Sequence, residues 1–383
     1  MKTIMLLGAA ILTLTVCPIA SAQLPVAGKY NGLFSEADGI RHHSAGFISV
    51  KVNPTATFSG FVMVEGEKVV FAGKNFPTNV TTWSRTNKYG REPLVISLVA
   101  TLPLETQQIE GTISNSSWVA NVRADRAIWS LLNPTTNFVN NFTFVIPGTN
   151  NEADPAGDGV AWMTNTSGGF TKILGNMADR SVLGLKVSIS TNGQVPVYMG
   201  LYRGRVTYSN EFTHVNGATK VAYHGFVMGE MVVTNAETPP VANLTWIKTQ
   251  IAAAVPASVT NYYPAGFSNG MAIMSSIYTP PSSGDWVLNM AEGSVAMQDG
   301  NLTSALTNTF IVTNTPTARA IFDAPNTIKQ LLNFVPSSGR MGGAFYHPDT
   351  TLRTLYYAVP LQNQNIARGF FLGTNKSGSI RIE

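Results

Sequence analysis

The sequence predicts an all-β protein, built as tandem antiparallel barrel-like or sandwich-like units after a cleaved signal peptide. Three observations carry that expectation. Apolar and polar residues alternate with period two along most of the chain. Charged residues make up 12% of the 383 residues and hydrophobic ones 44%, so Asn, Ser, Thr and Gly supply the polarity. That balance suits exposed sheet surfaces better than helices. A strand-turn-strand pattern that starts at Gly46 starts again at Gly159, about 113 residues on, which is the size of a small domain and not of a solenoid repeat.

The first residues, "MKTIMLLGAAILTLTVCPIASAQ", combine Lys2, an apolar run from Ile4 to Val16, and small residues at Ala20 and Ala22. This is the layout of a secretory signal peptide over residues 1–22, cleaved between Ala22 and Gln23. The apolar run is shorter than the roughly 20 residues a membrane span needs, and Pro18 follows it. No transmembrane helix is therefore expected in the mature chain, and the localisation read from the sequence is secreted or cell surface. Cys17 is the single cysteine. Val16 precedes it, where a lipoprotein signal has Gly, Ala or Ser, so lipidation is disfavoured. Without a cysteine the mature chain has neither disulfides nor thiolate metal sites, and its stability rests on burial. The net charge of +4 is spread without any Lys/Arg run, which excludes nucleic acid as an expected partner.

In "GFISVKVNPTATFSGFVMVEGEKVVFAGKNF" (residues 46–76), Ile48, Val50 and Val52 face one way and Phe47, Ser49 and Lys51 the other. Asn53-Pro54 and Glu65-Gly66-Glu67 turn the chain, giving a meander of three strands. Further strands are predicted over residues 94–102, 108–113 and 118–127. "FTFVIPG" (142–148) and the alternating segment 159–190 open a second unit, which runs through "VPVYMGLY", "GRVTYSNEF" and "GFVMGEMVVT" to "NLTWIK" (243–248). The Ala-rich stretch 249–264, broken by Pro256, reads as a linker or short helix. A third set of strands begins at "MAIMSSIYT" and ends in "GFFLGTNKSGSIRIE" (369–383). Residues 328–334 read as a strand because the turn 336–339 follows, with a helical turn after Pro325 as the alternative. The division is 24–135 for the first unit, 139–250 for the second and 258–383 for the third, with the third separate or merged with the second.

A strand running to Glu383 is what closure of a sheet into a barrel or sandwich requires, and closure removes aggregation-prone edges. An outer-membrane β-barrel is the competing reading. It needs regular strands of about 9 to 11 residues between aromatic girdles, and many strands here are shorter.

The segments "GKYNGLF", "NLTWIK", "NYYPAGFSN", "SSGRMGGAFYHPDT" and "LQNQNIARGFFLGTNKSG" together resemble an uncharacterised family of secreted bacterial β-repeat modules. Those modules stand at the C-terminal ends of large surface proteins that carry immunoglobulin-like repeats. The resemblance implies a surface or extracellular β module of barrel-like units. It brings no activity and no catalytic residue.

The chemical candidates are weak. "GFSNG" (266–270) matches G-x-S-x-G, with Ser268 as would-be nucleophile, Asp299 or Asp323 as acid and His347 as base, in the chain order of α/β-hydrolases. Its flanks lack the strand-to-helix turn that makes such a serine reactive. Asn151, Glu152, Asp154 and Asp158 form the one dense cluster of oxygen ligands and are the candidates for calcium, although the spacing is not that of an EF-hand. His42 and His43 are adjacent and, on a strand, would face opposite sides. His214 and His224 flank a turn at Asn216-Gly217 without a carboxylate to complete a site. Of the six tryptophans, Trp118, Trp162 and Trp286 lie in alternating runs that point to core burial. Trp83, in a polar loop, is the candidate for stacking on a sugar.

The sequence therefore predicts an exported, non-catalytic structural or ligand-binding module. Its partners would be a glycan, a matrix component or other surface proteins. A secreted hydrolase using Ser268 is the alternative.

Overall fold

The computed structural model describes residues 27–76, 81–84, 92–100, 107–207, 219–250, 262–313 and 319–383. The signal segment with Ala22 and Gln23, the side chain of Trp83, His214 and most of the Ala-rich stretch lie outside the described residues.

Eight strands form the first unit: β1 (Gly28–Ser35), β2 (Gly46–Val52), β3 (Phe58–Val64), β4 (Glu67–Gly73), β5 (Thr81–Ser84), β6 (Val95–Ala100), β7 (Gln108–Ser114) and β8 (Val119–Ala127). Each strand pairs antiparallel with the next, except across the open seam between β4 and β5, and β1 also pairs with β8. The alternation in the sequence explains the register. Ile48, Val50 and Val52 of β2 are buried, while Lys51 is exposed. β3 and β4 are joined by Glu65-Gly66 with φ of 49° and 72°. Positive φ at both central residues is the hairpin turn whose twist matches the flanking strands.

The second unit has the same wiring with one irregularity. Its strands are β9 (Asn141–Ile146), β10 (Gly159–Asn165), β11 (Phe170–Asn176), β12 (Val182–Ser188), β13 (Gln194–Thr207), β14 (Thr219–Val232), β15 (Val241–Lys248), β16 (Phe267–Ala272) and β17 (Met274–Ile277). β16 pairs with β15, the chain kinks at Ile273, and β17 pairs with β9. β16 and β17 thus act as one strand that passes from a four-stranded sheet to a five-stranded one. The residues "MAIMSSIYT", assigned to the third unit on sequence, close the second instead. The other junction between the two sheets is the β12–β13 turn, where Gly193 has φ of 78° and a Cβ would lie 2.0 Å from the Val233 carbonyl oxygen. Gly193→Ala is therefore expected to destabilise the protein by about 1–3 kcal/mol. Urea unfolding would show a lower midpoint at unchanged slope; an unchanged midpoint would mean that the turn relaxes.

The third unit contains β18 (Glu292–Asp299), β19 (Leu306–Thr313), β20 (Arg319–Phe322), β21 (Leu331–Val335), β22 (Arg340–Tyr346), β23 (Arg353–Leu361), β24 (Ile366–Leu372) and β25 (Ser377–Ile382). Its last strand pairs with both β24 and its first strand β18, and Glu383 and Ser294 exchange backbone hydrogen bonds of 2.6 and 3.1 Å. The seam lies between β20 and β21, which pack side by side.

All three units thus run as meanders whose first and last strands are neighbours, and each surrounds its own apolar core. The second unit is also a packing partner for both others. Tyr198, Phe226, Met228 and Ile247 of its β13–β15 sheet meet Ala45, Leu33 and Phe47 of the first unit. On the opposite side, Val359, Leu361 and Phe370 of β23 and β24 are buried within the second unit's cluster. This accounts for β9, where five consecutive residues are buried: one face points into its own unit and the other is covered by the third.

Candidate functional site

Ser268 lies on β16, exposed, opposite Ile247 in the ladder. It sits within a strand and not at a strand-to-helix turn. His347 is buried, with Nε2 3.1 Å from the Gly300 carbonyl oxygen. Asp323 accepts a hydrogen bond from Thr309, and Asp299 ends β18. No hydrogen bond joins Ser268, Asp299, Asp323 and His347 among the described residues.

The acidic loop divides its carboxylates among different partners. Asp158 is almost fully buried and receives Nε and Nη2 of Arg368 at 2.7 and 3.1 Å, along with the Gly148 N–H at 3.0 Å. Burial raises its pKa, and the Arg368 guanidinium works against that rise. Asp154 accepts from Asn151 Nδ2 at 2.9 Å, while exposed Glu152 faces Lys376 at 3.8 Å. Among the described residues no three His, Cys, Asp or Glu side chains gather as a metal site would need. His42 stacks on Phe226 at 5.8 Å and His43 is exposed. Trp118, Trp246 and Trp286 are buried, and Trp129 and Trp162 pack half-buried against the second core.

One polar network lies inside the second unit, beside its junction with the third. Leu201 and Tyr202 are both buried in one core, although neighbouring strand residues normally face opposite sides. The left-handed backbone at Tyr202, with φ of 58°, allows it. Tyr202 donates its hydroxyl to Asp179 at 2.6 Å and accepts Trp246 Nε1 at 2.9 Å. The Lys248 ammonium sits 4.6 Å from the Tyr202 ring centre and donates to the Tyr262 carbonyl oxygen. Burial pushes the Tyr202 hydroxyl well up and the Lys248 amine down. This network holds the segment of Tyr262 and Tyr263 against the third unit, where Tyr262 donates to the Gly373 carbonyl oxygen at 3.0 Å and the Tyr263 hydroxyl accepts the Ser377 N–H at 2.9 Å.

Of the clefts that involve the third unit, two carry polar side chains from separate stretches of the chain. The larger, about 690 Å³, lies along the loop 279–291, and Gln362 and Asn365 line it. Their amides are committed: Gln362 donates to Thr279 and Val287 carbonyl oxygens and accepts from Thr279, while Asn365 and Asn289 bond reciprocally. These side chains fasten the loop in the way a sheet neighbour would. The second cleft, about 440 Å³, lies between the second and third units. Arg180 and Tyr262 enter from the second unit, and Arg353, Thr354, Tyr357 and Thr374 from the third. Neither guanidinium has an ion-pair or hydrogen-bond partner among the described residues. Sequence reasoning missed this site because its residues come from four separated stretches, and no local pattern marks them.

No family model matches the chain, and no curated protein matches it. Among solved structures the chain is similar to the crystal structure of a double mutant of the vaccine antigen transferrin binding protein B from Haemophilus parasuis, with a TM-score of 0.21 and 10% identity. The match covers 94% of this chain and 76% of that one. No helix among the described residues is long and apolar enough to cross a membrane.

Proposed function

We propose that this protein is an exported, non-catalytic recognition module of the cell surface or its surroundings, with a glycan as ligand. The observation that supports this reading is where the concave surface lies. Apolar side chains fill the interiors of the units, so recognition falls to the outer faces and to the junctions between units. Along β2 and β4 the buried face is apolar and the lysines Lys51 and Lys68 are exposed, whereas a membrane barrel turns an apolar band to the lipid. Thr and Tyr at the junction of the second and third units provide hydroxyls and ring faces of the kind that sugars require.

A glycan array tests the reading. Folded protein is expected to bind a restricted set of polysaccharides and to lose that binding when heat-unfolded, with Ser268→Ala binding as the parent does. A blank array from folded material, or hydrolysis abolished by Ser268→Ala, would overturn it.

A further inference from the structure

The geometry points to an acidic-saccharide subsite in the cleft between the second and third units, where Arg180 and Arg353 bind the carboxylate of a uronic-acid-type residue. This rests on the recognition reading above and adds the class of sugar and the place where it binds.

Four features of the cleft argue for it. First, its volume of about 440 Å³ suits one or two sugar rings, since small-ligand sites span roughly 300–1,000 Å³. Second, the two guanidinium groups reach it from different units and are both exposed, with no carboxylate or carbonyl partner among the described residues. Arg368, by contrast, is taken up across the same junction by an ion pair with Asp158. The planar fork of donors matches a carboxylate in a bidentate fashion, which makes arginine the side chain of choice for such a group. Third, the carboxylate of Asp349, held by the Thr303 N–H and hydroxyl at 3.0 and 2.8 Å, forms no ion pair with either arginine among the described residues. Fourth, the remaining lining suits a sugar body. Tyr262 and Tyr357 are half-buried aromatic rings, and Thr350, Thr354 and Thr374 contribute hydroxyls. His347 also lines the cleft, and its Nδ1 has no hydrogen-bond partner, being 3.9 Å from Asp349.

The larger cleft beside loop 279–291 lacks these properties. No lysine or arginine lines it, and its Gln362 and Asn365 amides serve the loop.

The test is a calorimetric titration of the purified protein with a galacturonate tetramer, its methyl-esterified counterpart and a neutral glucose tetramer. The acidic tetramer is expected to bind, and raising the salt from about 50 to 200 mM should weaken it, as screening requires. Arg353→Gln and Arg180→Gln should each weaken binding at least tenfold, with Arg353→Lys recovering part of the loss. Both arginines are exposed, so unchanged thermal unfolding is expected to accompany the loss. Equal binding of the esterified tetramer, or variants that bind like the parent, would overturn the subsite. Selective binding of neutral glycans alone on the array would overturn the subsite and leave the recognition reading standing. A blank array would remove both.

Discussion

Replacing Arg368 with alanine is expected to lower the free energy of unfolding by about 3–5 kcal/mol, because it leaves the buried Asp158 carboxylate without its counter-charge. The pair joins the β9–β10 loop to β24, and the Asp158 N–H donates to the Gly369 carbonyl oxygen beside it at 3.1 Å. The loss would therefore loosen the junction of the second and third units. Its pH dependence has a definite sign. Burial already raises Asp158, and removing Arg368 removes the influence that lowers it. A carboxyl raised in the folded state stabilises folding while protonated, fully so below its unfolded value near about pH 4. That contribution is lost as pH rises through the folded value. The deficit of Arg368→Ala should be greatest at neutral pH and shrink toward acid. Urea unfolding at about pH 7 and pH 4.5 would measure it. Pairing Arg368→Met with Asp158→Asn should restore most of the stability. An equal deficit at both pH values would mean that Asp158 is not the group left uncompensated.

Removing residues 377–383 should unfold the third unit. The deletion withdraws Ile380 and Ile382, which are 1% and 0% exposed, and each such side chain stabilises by about 1.5–3 kcal/mol on burial. It also takes away the ladders to β18 and β24 and the Ser377 contacts with Tyr263. Set against the roughly 5–15 kcal/mol that holds a domain together, that loss is decisive. The two exposed edges would then pair with other chains. Limited proteolysis would find new cuts between residues 292 and 372 while residues 28–127 stay protected. Full protection of the third unit in the shortened chain would show that the first-to-last pairing is dispensable.

The strands were legible because their signal is local. Alternation in residues 46–52 assigns the buried face of β2, and Glu65-Gly66 marks a hairpin within four residues. The partner of a strand is a different matter. "MAIMSSIYT" alternates correctly as a strand, but nothing within it says that it belongs with β9, whose sequence lies more than a hundred residues earlier. The same holds for the polar sites. Asp158 in "NEADPAGDG" reads as part of an acidic loop, yet its charge is met by Arg368, 210 residues away. The network of Asp179, Tyr202, Trp246 and Lys248 depends on a left-handed backbone at Tyr202, and tyrosine carries no propensity that announces it. Arg180 and Arg353 look like ordinary surface charges until the second and third units are docked.

Because the first and last strands of each meander are antiparallel neighbours, the chain enters and leaves every unit at one end: Lys29 stands opposite Ala127, and Phe142 opposite Ile277. A pull on the two ends of such a unit would act across its closing ladder and part the hydrogen bonds one after another, like a zipper, instead of shearing them together. Tension between the two ends of a unit would therefore open it at lower force than a shear geometry withstands.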